Sequence, residues 1–456
     1  MKGRVRHSSL LLLAALLAWP GAASAAAAIP ARPLGALAAP PVTAPALVRP
    51  TSSPAQQAFE QVAGRLQGDY AGLSGVDRAA LIQEYRARLE AVCQGQGQRC
   101  PAETAYPVIE AQLTALGDPH TFLQWPDEYQ DFVSSALGGQ RLQFGFKLAE
   151  LDGERRLITE VVPGSAADRA GLRRGDVLWQ LAGKPYRYSD LSDARESAAP
   201  ITLGLERQGQ RLSVQLTAAR TAAADPPRLS WVSGQRGVQG RTAVIRIPTF
   251  LSAGEVAARV HEQVGQARSG GAGGLVVDLR GNTGGSLLEC DLAASAFVPE
   301  FSRVAHSAGR QSVTRVAGGR RWDDGVLVGR VSRPQEWSGP LAVLVDEASA
   351  SCAEFFAYEV QRSGRGVVVG APTSGVGNTA TRVFPLVGGA GLQITTLHYS
   401  KPGGQAYPVQ VRPDLSAQSG EAFLRALAQG RDLTLEAGVQ SLRRQSMARS
   451  AVQRAE

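Results

Sequence analysis

The sequence predicts a multidomain α/β protein, and three changes of pattern along its 456 residues carry that prediction. Apolar residues recur every three or four positions between 53 and 137 and alternate in short runs between 138 and 220. Between 228 and 419 they form continuous apolar runs separated by helical stretches. At 44% apolar and 19% charged, the composition supports packed cores and excludes wholesale disorder. Gly 51 and Pro 26 fall short of a low-complexity share and show no G-X-Y period, which excludes a fibrous chain.

Residues 1–25 read as a secretory signal. Lys2, Arg4 and Arg6 precede the apolar run 10–19, and Ala23-Ser24-Ala25 supplies small residues for cleavage after Ala25. The run is too short to cross a hydrocarbon core of ~30 Å, and no later stretch qualifies, so no stable membrane span is expected. The chain is expected to be exported, periplasmic or secreted. Residues 26–52, nearly all Ala, Pro, Leu and Thr, read as a stiff linker. Without the signal, 45 basic residues face 40 acidic ones, too mild and dispersed an excess for a nucleic-acid partner.

Residues 53–137 read as a helical domain, from Phe59, Val62 and Leu66, then Leu81, Tyr85, Leu89 and Val92, then Ile109, Leu113 and Leu116. Gly117 and Pro119 end the last helix and leave His120 on a loop. An oxidising compartment permits disulfides, and Cys93 and Cys100 bracket a short polar segment that a bridge would staple. Residues 138–220 form a β-rich module punctuated by Asp152-Gly153, Pro163-Gly164 and Gln208-Gly209. Residues 228–419 read as an α/β core and 420–456 as a helical tail.

Two segments of the core carry chemistry. Residues 275–285, LVVDLRGNTGG, are a strand entering a glycine-rich turn. They lack the phosphate-binding patterns G-x-x-x-x-G-K-[ST] and G-x-G-x-x-G, and the exposed amides of such a turn can instead hold an oxyanion. Residues 343–354, VLVDEASASCAE, are a second strand, a small-residue turn and a helix. A serine at that helix N-terminus sits in a dipole field that favours a developing alkoxide, although serine is also an ordinary N-cap. Cys290 and Cys352 follow these two motifs. They pair only if the motifs meet in space, and otherwise are two buried thiols. No C-x-x-C pair or ligand-spaced histidine supports a metal, and no cofactor is predicted.

The β-rich module resembles a PDZ domain in Phe144-Gly145-Phe146, in Val162-Pro163-Gly164-Ser165-Ala166-Ala167, and in residues 170–178, AGLRRGDVL. Followed by the D-L-R-G-N-x-G-G turn, S-A-S-x-A-E, Gly370-Ala371-Pro372-Thr373-Ser374-Gly375, residues 399–404 and Arg412-Pro413-Asp414, it is similar to the C-terminal processing, or tail-specific, serine proteases. The resemblance spans roughly residues 53–415. It implies a crotonase-like core of ββα superhelix type, and an endopeptidase whose PDZ domain recognises the C-termini or unfolded segments of protein substrates. It implies Ser351 as nucleophile, with Ser349 the alternative one register away, and the N–H groups of Cys352 and Gly285, or Gly284, as oxyanion hole.

The departure is at the base. The family's usual lysine lies in a T-x-G-K-G segment, and this chain reads Thr373-Ser374-Gly375-Val376-Gly377, with Ala380 where a glutamine usually follows. Valine cannot take a proton. His120, at the position where the serine/histidine tricorn-type proteases resemble this chain, is the expected base. Lys401, the core's one lysine, is a second candidate, and a chain without a base, acting only as a PDZ-type peptide-binding protein, is the alternative. His261, His306 and His398 are expected to be structural.

Overall fold

The computed structural model describes residues 52–232, 241–251 and 253–452, with side chains to 448; residues 1–51, which hold the expected signal and nearly all of the linker, lie outside them. Among the described residues no helix is long and apolar enough to cross a membrane.

The N-terminal unit holds α1 (Pro54–Gly68), α2 (Arg78–Val92) and α3 (Tyr106–Leu116). Helices α1 and α2 start where the sequence supplies a cap. Ser53 accepts the Gln56 N–H while the Gln56 side chain accepts the Ser53 N–H, and Asp77 accepts the N–H groups of Ala79 and Ala80. Cys93 and Cys100 are joined by a disulfide just beyond α2. Gly117, left-handed at φ 72°, ends α3 and turns the chain through His120 into β1 (Phe122–Gln124) and α4 (Pro126–Ala136). This unit does not close on itself. Its core of Phe59, Leu66, Ile109 and Leu116 continues into Leu386, Leu392 and Ile394 of the core.

The second unit comprises β2 (Gln140–Gln143), β3 (Phe146–Asp152), β4 (Arg155–Val161), α5 (Ala166–Arg169), β5 (Val177–Leu181), α6 (Tyr188–Glu196), β6 (Ile201–Arg207), β7 (Gln210–Leu216) and β8 (Ala219–Ala222). Strands β3 to β7 form an antiparallel sheet in chain order with β3 at one edge, while β2 pairs with β8. Strands β2 and β3 are thus separated by a break at Phe144 and Gly145. Gly145 has φ +88°, and a Cβ there would lie 2.0 Å from the Ser165 Cβ, so the break requires glycine.

The core contains β9 (Arg228–Val232), β10 (Arg241–Arg246), α7 (Val256–Ser269), β11 (Ala272–Asp278), α8 (Leu287–Ala294), β12 (Glu300–Ser307), β13 (Arg310–Ala317), β14 (Arg320–Asp323) and β15 (Val326–Arg330). It continues with β16 (Leu341–Val345), α9 (Cys352–Arg362), β17 (Val367–Gly370), β18 (Thr379–Pro385), β19 (Gly391–Ser400) and β20 (Leu415–Ser416), then the tail helices α10 (Gly420–Ala428) and α11 (Leu433–Val452). A six-stranded sheet runs β20-β17-β16-β11-β10-β9, parallel except for β9. Its strands are apolar on both faces because both are covered. Leu275 and Val277 join the core that holds α7, α8 and α9, whereas Val276 packs with Val439 and Leu442 of α11. A second, antiparallel sheet runs β1-β19-β12-β13-β14-β15, with β18 also on β19. The β1–β19 pairing, Phe122 against Gln393, carries the His120 loop into the core.

Charges fasten the second unit to the core. Glu160 on β4 meets Arg228, Arg246 and Lys147 at 2.8, 3.2 and 3.0 Å. Burial alone would raise its carboxyl, but these cations hold it well below the usual carboxylate range. Arg280 bridges Asp278 and Asp432, each at 2.7 Å, and Arg174 reaches Asp432 at 3.4 Å. On α10, Leu427 packs against Leu151, Leu157 and Val177.

Candidate active site

Strand β16 runs straight into the turn 346–351, and the chain reverses at Ser351 to enter α9. Ser351 has φ 53° and ψ −115°, a backbone conformation that a side-chain-bearing residue holds only when its surroundings force it. This strand, strained turn and helix is the geometry that thrusts a serine out of a sheet. The forcing contacts are identifiable. The Ser351 N–H donates to Glu354 Oε2 at 2.8 Å, Ala350 N–H donates to the Asn282 carbonyl at 2.9 Å, and Glu354 N–H returns to the Ser351 carbonyl at 2.9 Å.

The two serines of the turn differ. Ser349 Oγ donates toward the Leu279 carbonyl and Asp346 Oδ1, each at 3.0 Å, and accepts the Asp346 N–H, so it ties this turn to the glycine turn. Ser351 Oγ has no hydrogen bond among the described residues. The geometry separates them as a fastening residue and a free hydroxyl.

The glycine turn lies alongside. Asn282 braces it, donating to the Ile247 carbonyl and accepting the Gly284 N–H at 2.8 Å. Gly285 has φ +140°, and a Cβ there would fall 2.2 Å from Leu251 N and 2.3 Å from the Phe250 carbonyl carbon, so only glycine fits. Neither the Gly285 N–H nor the Cys352 N–H has a hydrogen-bond partner among the described residues. The two peptides are neighbours: Cys352 Sγ donates to the Gly285 carbonyl at 3.1 Å, and Cys290 Sγ to the Cys352 carbonyl at 3.0 Å. The motifs that carry Cys290 and Cys352 do meet, yet both cysteines are buried free thiols. Each sulfur is engaged by a carbonyl rather than by the other in a bond. Burial pushes the Cys290 thiol up, away from the reactive thiolate.

Val376 lies where a lysine was missing in the sequence. It is buried against Ala350 and Phe122, and its N–H donates to Glu354 Oε2 at 3.0 Å. Glu354 also accepts from Thr373 Oγ1 at 2.6 Å and from Gly375 N–H at 2.9 Å. Burial raises its carboxyl, partly offset by these four donors.

His120 is linked to the Val376 loop through Thr379. It is fully buried, its Nδ1 lies 2.7 Å from Thr379 Oγ1, and its N–H donates to Asp118 Oδ1. Its Nε2 is buried with no hydrogen-bond partner among the described residues. Burial lowers the ring's pKa to about 4, against the raising influence of Asp118, so the imidazole is neutral at pH 7. Phe122, two residues on, touches Ala350 and Val376, beside Ser351.

The other candidates lie elsewhere. Lys401 is partly exposed, with Nζ on Gln405 Oε1 at 3.0 Å. His261 is fully tied, its two ring nitrogens at backbone groups of Gln335 and Leu292. His306 and His398 stack face to face across β12 and β19, rings 4.8 Å apart. Sequence reasoning missed Thr379 and gave Glu354 no task. The capping-box spacing from Ser351 to Glu354 was the one available signal.

In the second unit, a groove of about 610 Å3 is lined by Leu142, Phe144 and Phe146, by Leu191 of α6 and, from outside the unit, by Asp127 of α4. The N–H groups of Phe144 and Gly145 have no partner among the described residues, and edge strand β3 begins beside them.

Comparison with known proteins agrees with this arrangement. Residues 241–417 match the family described as Peptidase family S41, and residues 157–199 the PDZ domain. The carboxyl-terminal-processing peptidase 3, chloroplastic, of Arabidopsis thaliana is 26% identical over 340 residues, covering 70% of this chain and 61% of the relative. A carboxyl-terminal-processing protease of Picosynechococcus sp. is 27% identical over 315 residues, covering 66% of this chain and 69% of the relative. Among solved structures, mature CPAF aligns with a TM-score of 0.50 at 15% identity, covering 86% of this chain and 98% of that one, a likeness of fold. The photosystem II D1 C-terminal processing protease aligns with a TM-score of 0.48 at 20% identity, covering 83% and 99%. The glycine turn and the Ser351 turn both fall inside the stretch that matches Peptidase family S41, and the chain is similar over about two thirds of its length to the carboxyl-terminal-processing proteases.

Proposed function

We propose that the chain is an exported serine endopeptidase that takes C-terminal or unfolded segments of protein substrates through its PDZ groove and cleaves them by acyl-enzyme chemistry. The observation that carries this reading is Ser351: a free hydroxyl on a strained turn, with the unengaged Cys352 and Gly285 N–H groups beside it.

In this mechanism Ser351 Oγ attacks the scissile carbonyl carbon while His120 Nε2 takes its proton. The carbonyl oxygen becomes an oxyanion, held by the Cys352 and Gly285 N–H groups, which need no reorganisation because the two turns are already locked. Collapse expels the amine, which leaves with the proton from Nε2. Water, deprotonated by the same nitrogen, then releases the acyl group from Ser351. Val376 supplies no proton, and its role is confined to its backbone. The groove offers the Phe144 and Gly145 N–H groups to a terminal carboxylate and apolar side chains to the last residue, with the edge of β3 open for strand addition.

A fluorophosphonate that phosphonylates activated serines tests the site without a known substrate. The wild-type chain should be labelled on Ser351, Ser351→Ala should be blank, and His120→Gln should be labelled at least about 100-fold more slowly. No labelling of the wild type, with C-terminal peptides still bound, would identify a binding protein instead.

A further inference from the structure

We propose that Thr379 is the positioning residue of the base: it accepts a hydrogen bond from His120 Nδ1–H, and so leaves Nε2 as a bare lone pair. The inference rests on the Ser351/His120 reading and adds to it a residue that neither the motifs nor the lost lysine points to.

One proton decides the tautomer. A threonine hydroxyl has a single proton and two lone pairs, and a neutral imidazole has one N–H and one bare nitrogen. Thr379 Oγ1 lies 2.7 Å from His120 Nδ1 and 3.4 Å from the Val376 carbonyl. If the hydroxyl donated to Nδ1, the ring proton would sit on Nε2, a buried donor with no acceptor among the described residues. If it donates to the Val376 carbonyl instead, Nδ1–H donates to Oγ1, every proton in the chain is placed, and Nε2 is left to receive the Ser351 proton. A carbonyl has no proton of its own and can only accept, so the Val376 oxygen biases the whole chain in one direction.

The Val376 peptide is itself immobile. Its N–H is held by the carboxylate oxygen that also holds the Ser351 N–H. Nucleophile, Val376 peptide, Thr379 and His120 therefore form one hydrogen-bonded path, in which the residue that replaced the lysine acts through its main chain. Thr379 is fixed in turn by its place in β18, opposite His398 of β19, and its N–H donates to the Val376 carbonyl at 3.4 Å.

The test is nitrogen NMR of the mature chain labelled with 15N-histidine, the His120 signals being those lost in His120→Gln. Wild type should show a protonated Nδ1 and a bare Nε2. Thr379→Ser should keep that tautomer and kcat within about threefold, whereas Thr379→Val should lose it and lower kcat about 10- to 100-fold with KM within about twofold. A wild-type ring protonated on Nε2, or a Thr379→Val chain with unchanged tautomer and kcat, overturns the proposal. The tautomer is read without turnover, so the two readings fail separately. Full cleavage by His120→Gln, beside the expected tautomer, would remove His120 as base and with it the task assigned to Thr379.

Discussion

Ser351 and Val376 donate their backbone N–H groups to one and the same oxygen, Glu354 Oε2, at 2.8 and 3.0 Å. The Ser351 turn and the Val376 loop are thus one rigid body, fastened by a buried carboxylate that has no ion-pair partner among the described residues and is satisfied by four donors. Replacing Glu354 by alanine strands those donors. We expect a loss of roughly 2–4 kcal/mol of stability, read from chemical denaturation, with Ser351→Ala left near wild type as the control.

His120 gives a pH signature. A base with a pKa of about 4 stays deprotonated where an ordinary histidine would begin to charge, so the acid limb of kcat/KM should lie near pH 4 and not near 6.5. The stability effect has the same cause. The folded ring resists protonation and the unfolded one does not, so between about pH 4 and 6.5 the unfolded chain binds more protons. Its contribution, on the order of 3 kcal/mol, is complete above 6.5 and is lost as the pH falls toward 4. His120→Gln should flatten that part of the stability–pH curve.

The ion cluster at Glu160 predicts a stability change of opposite chemical origin. Its folded carboxyl is depressed, so its contribution is present above the ordinary carboxylate range and disappears as the pH falls below it. Glu160→Gln removes the one anion that Arg246, Arg228 and Lys147 all contact. We expect roughly 3 kcal/mol of destabilisation and faster cleavage by an added protease at the junction of the PDZ unit and the core, measured by limited proteolysis.

The cysteines divide two and two. Denatured without reductant, the chain should titrate two thiols, Cys290 and Cys352, and no more. Reduction of Cys93–Cys100 closes off a short loop's contribution of roughly 2–3 kcal/mol, and should lower the melting temperature. Loss of activity on reduction should follow that melting, because His120 leaves α3 in the unit the bridge staples.

Gly145→Ala probes the groove. Its Cβ would collide with Ser165, and φ +88° adds strain, so the Phe144 and Gly145 N–H groups should be displaced. Binding of a fluorescent C-terminal peptide should weaken at least about tenfold while fluorophosphonate labelling of Ser351 persists.

Much of this was legible in the chain. The runs 275–279 and 341–345 announced buried parallel strands, and each ended in a turn with too many small residues to be mere connection. The meander β12 to β15 was harder, because Arg303 takes an inward position between Phe301 and Ala305 and is buried against Asp291, which breaks the alternation a strand should show. Helix α4 was hidden by a mixed face whose buried residues are Phe132 and Ala136. The link between His120 and Thr379 could not be read at all, since it spans 259 residues and depends on β1 and β18 pairing with the same strand. The thiols show the limit of motif spacing: it left open whether the two motifs meet, and they do, yet the two sulfurs are not bonded to each other.

The most direct measurement is digestion of an intrinsically unfolded protein by residues 26–456 beside their Ser351→Ala and His120→Ala variants, both confirmed folded by circular dichroism. The account predicts cleavage by wild type and, in both variants, a loss of at least about 100-fold. Undiminished cleavage by His120→Ala would contradict the Ser351/His120 mechanism, and cleavage by Ser351→Ala would contradict the nucleophile itself.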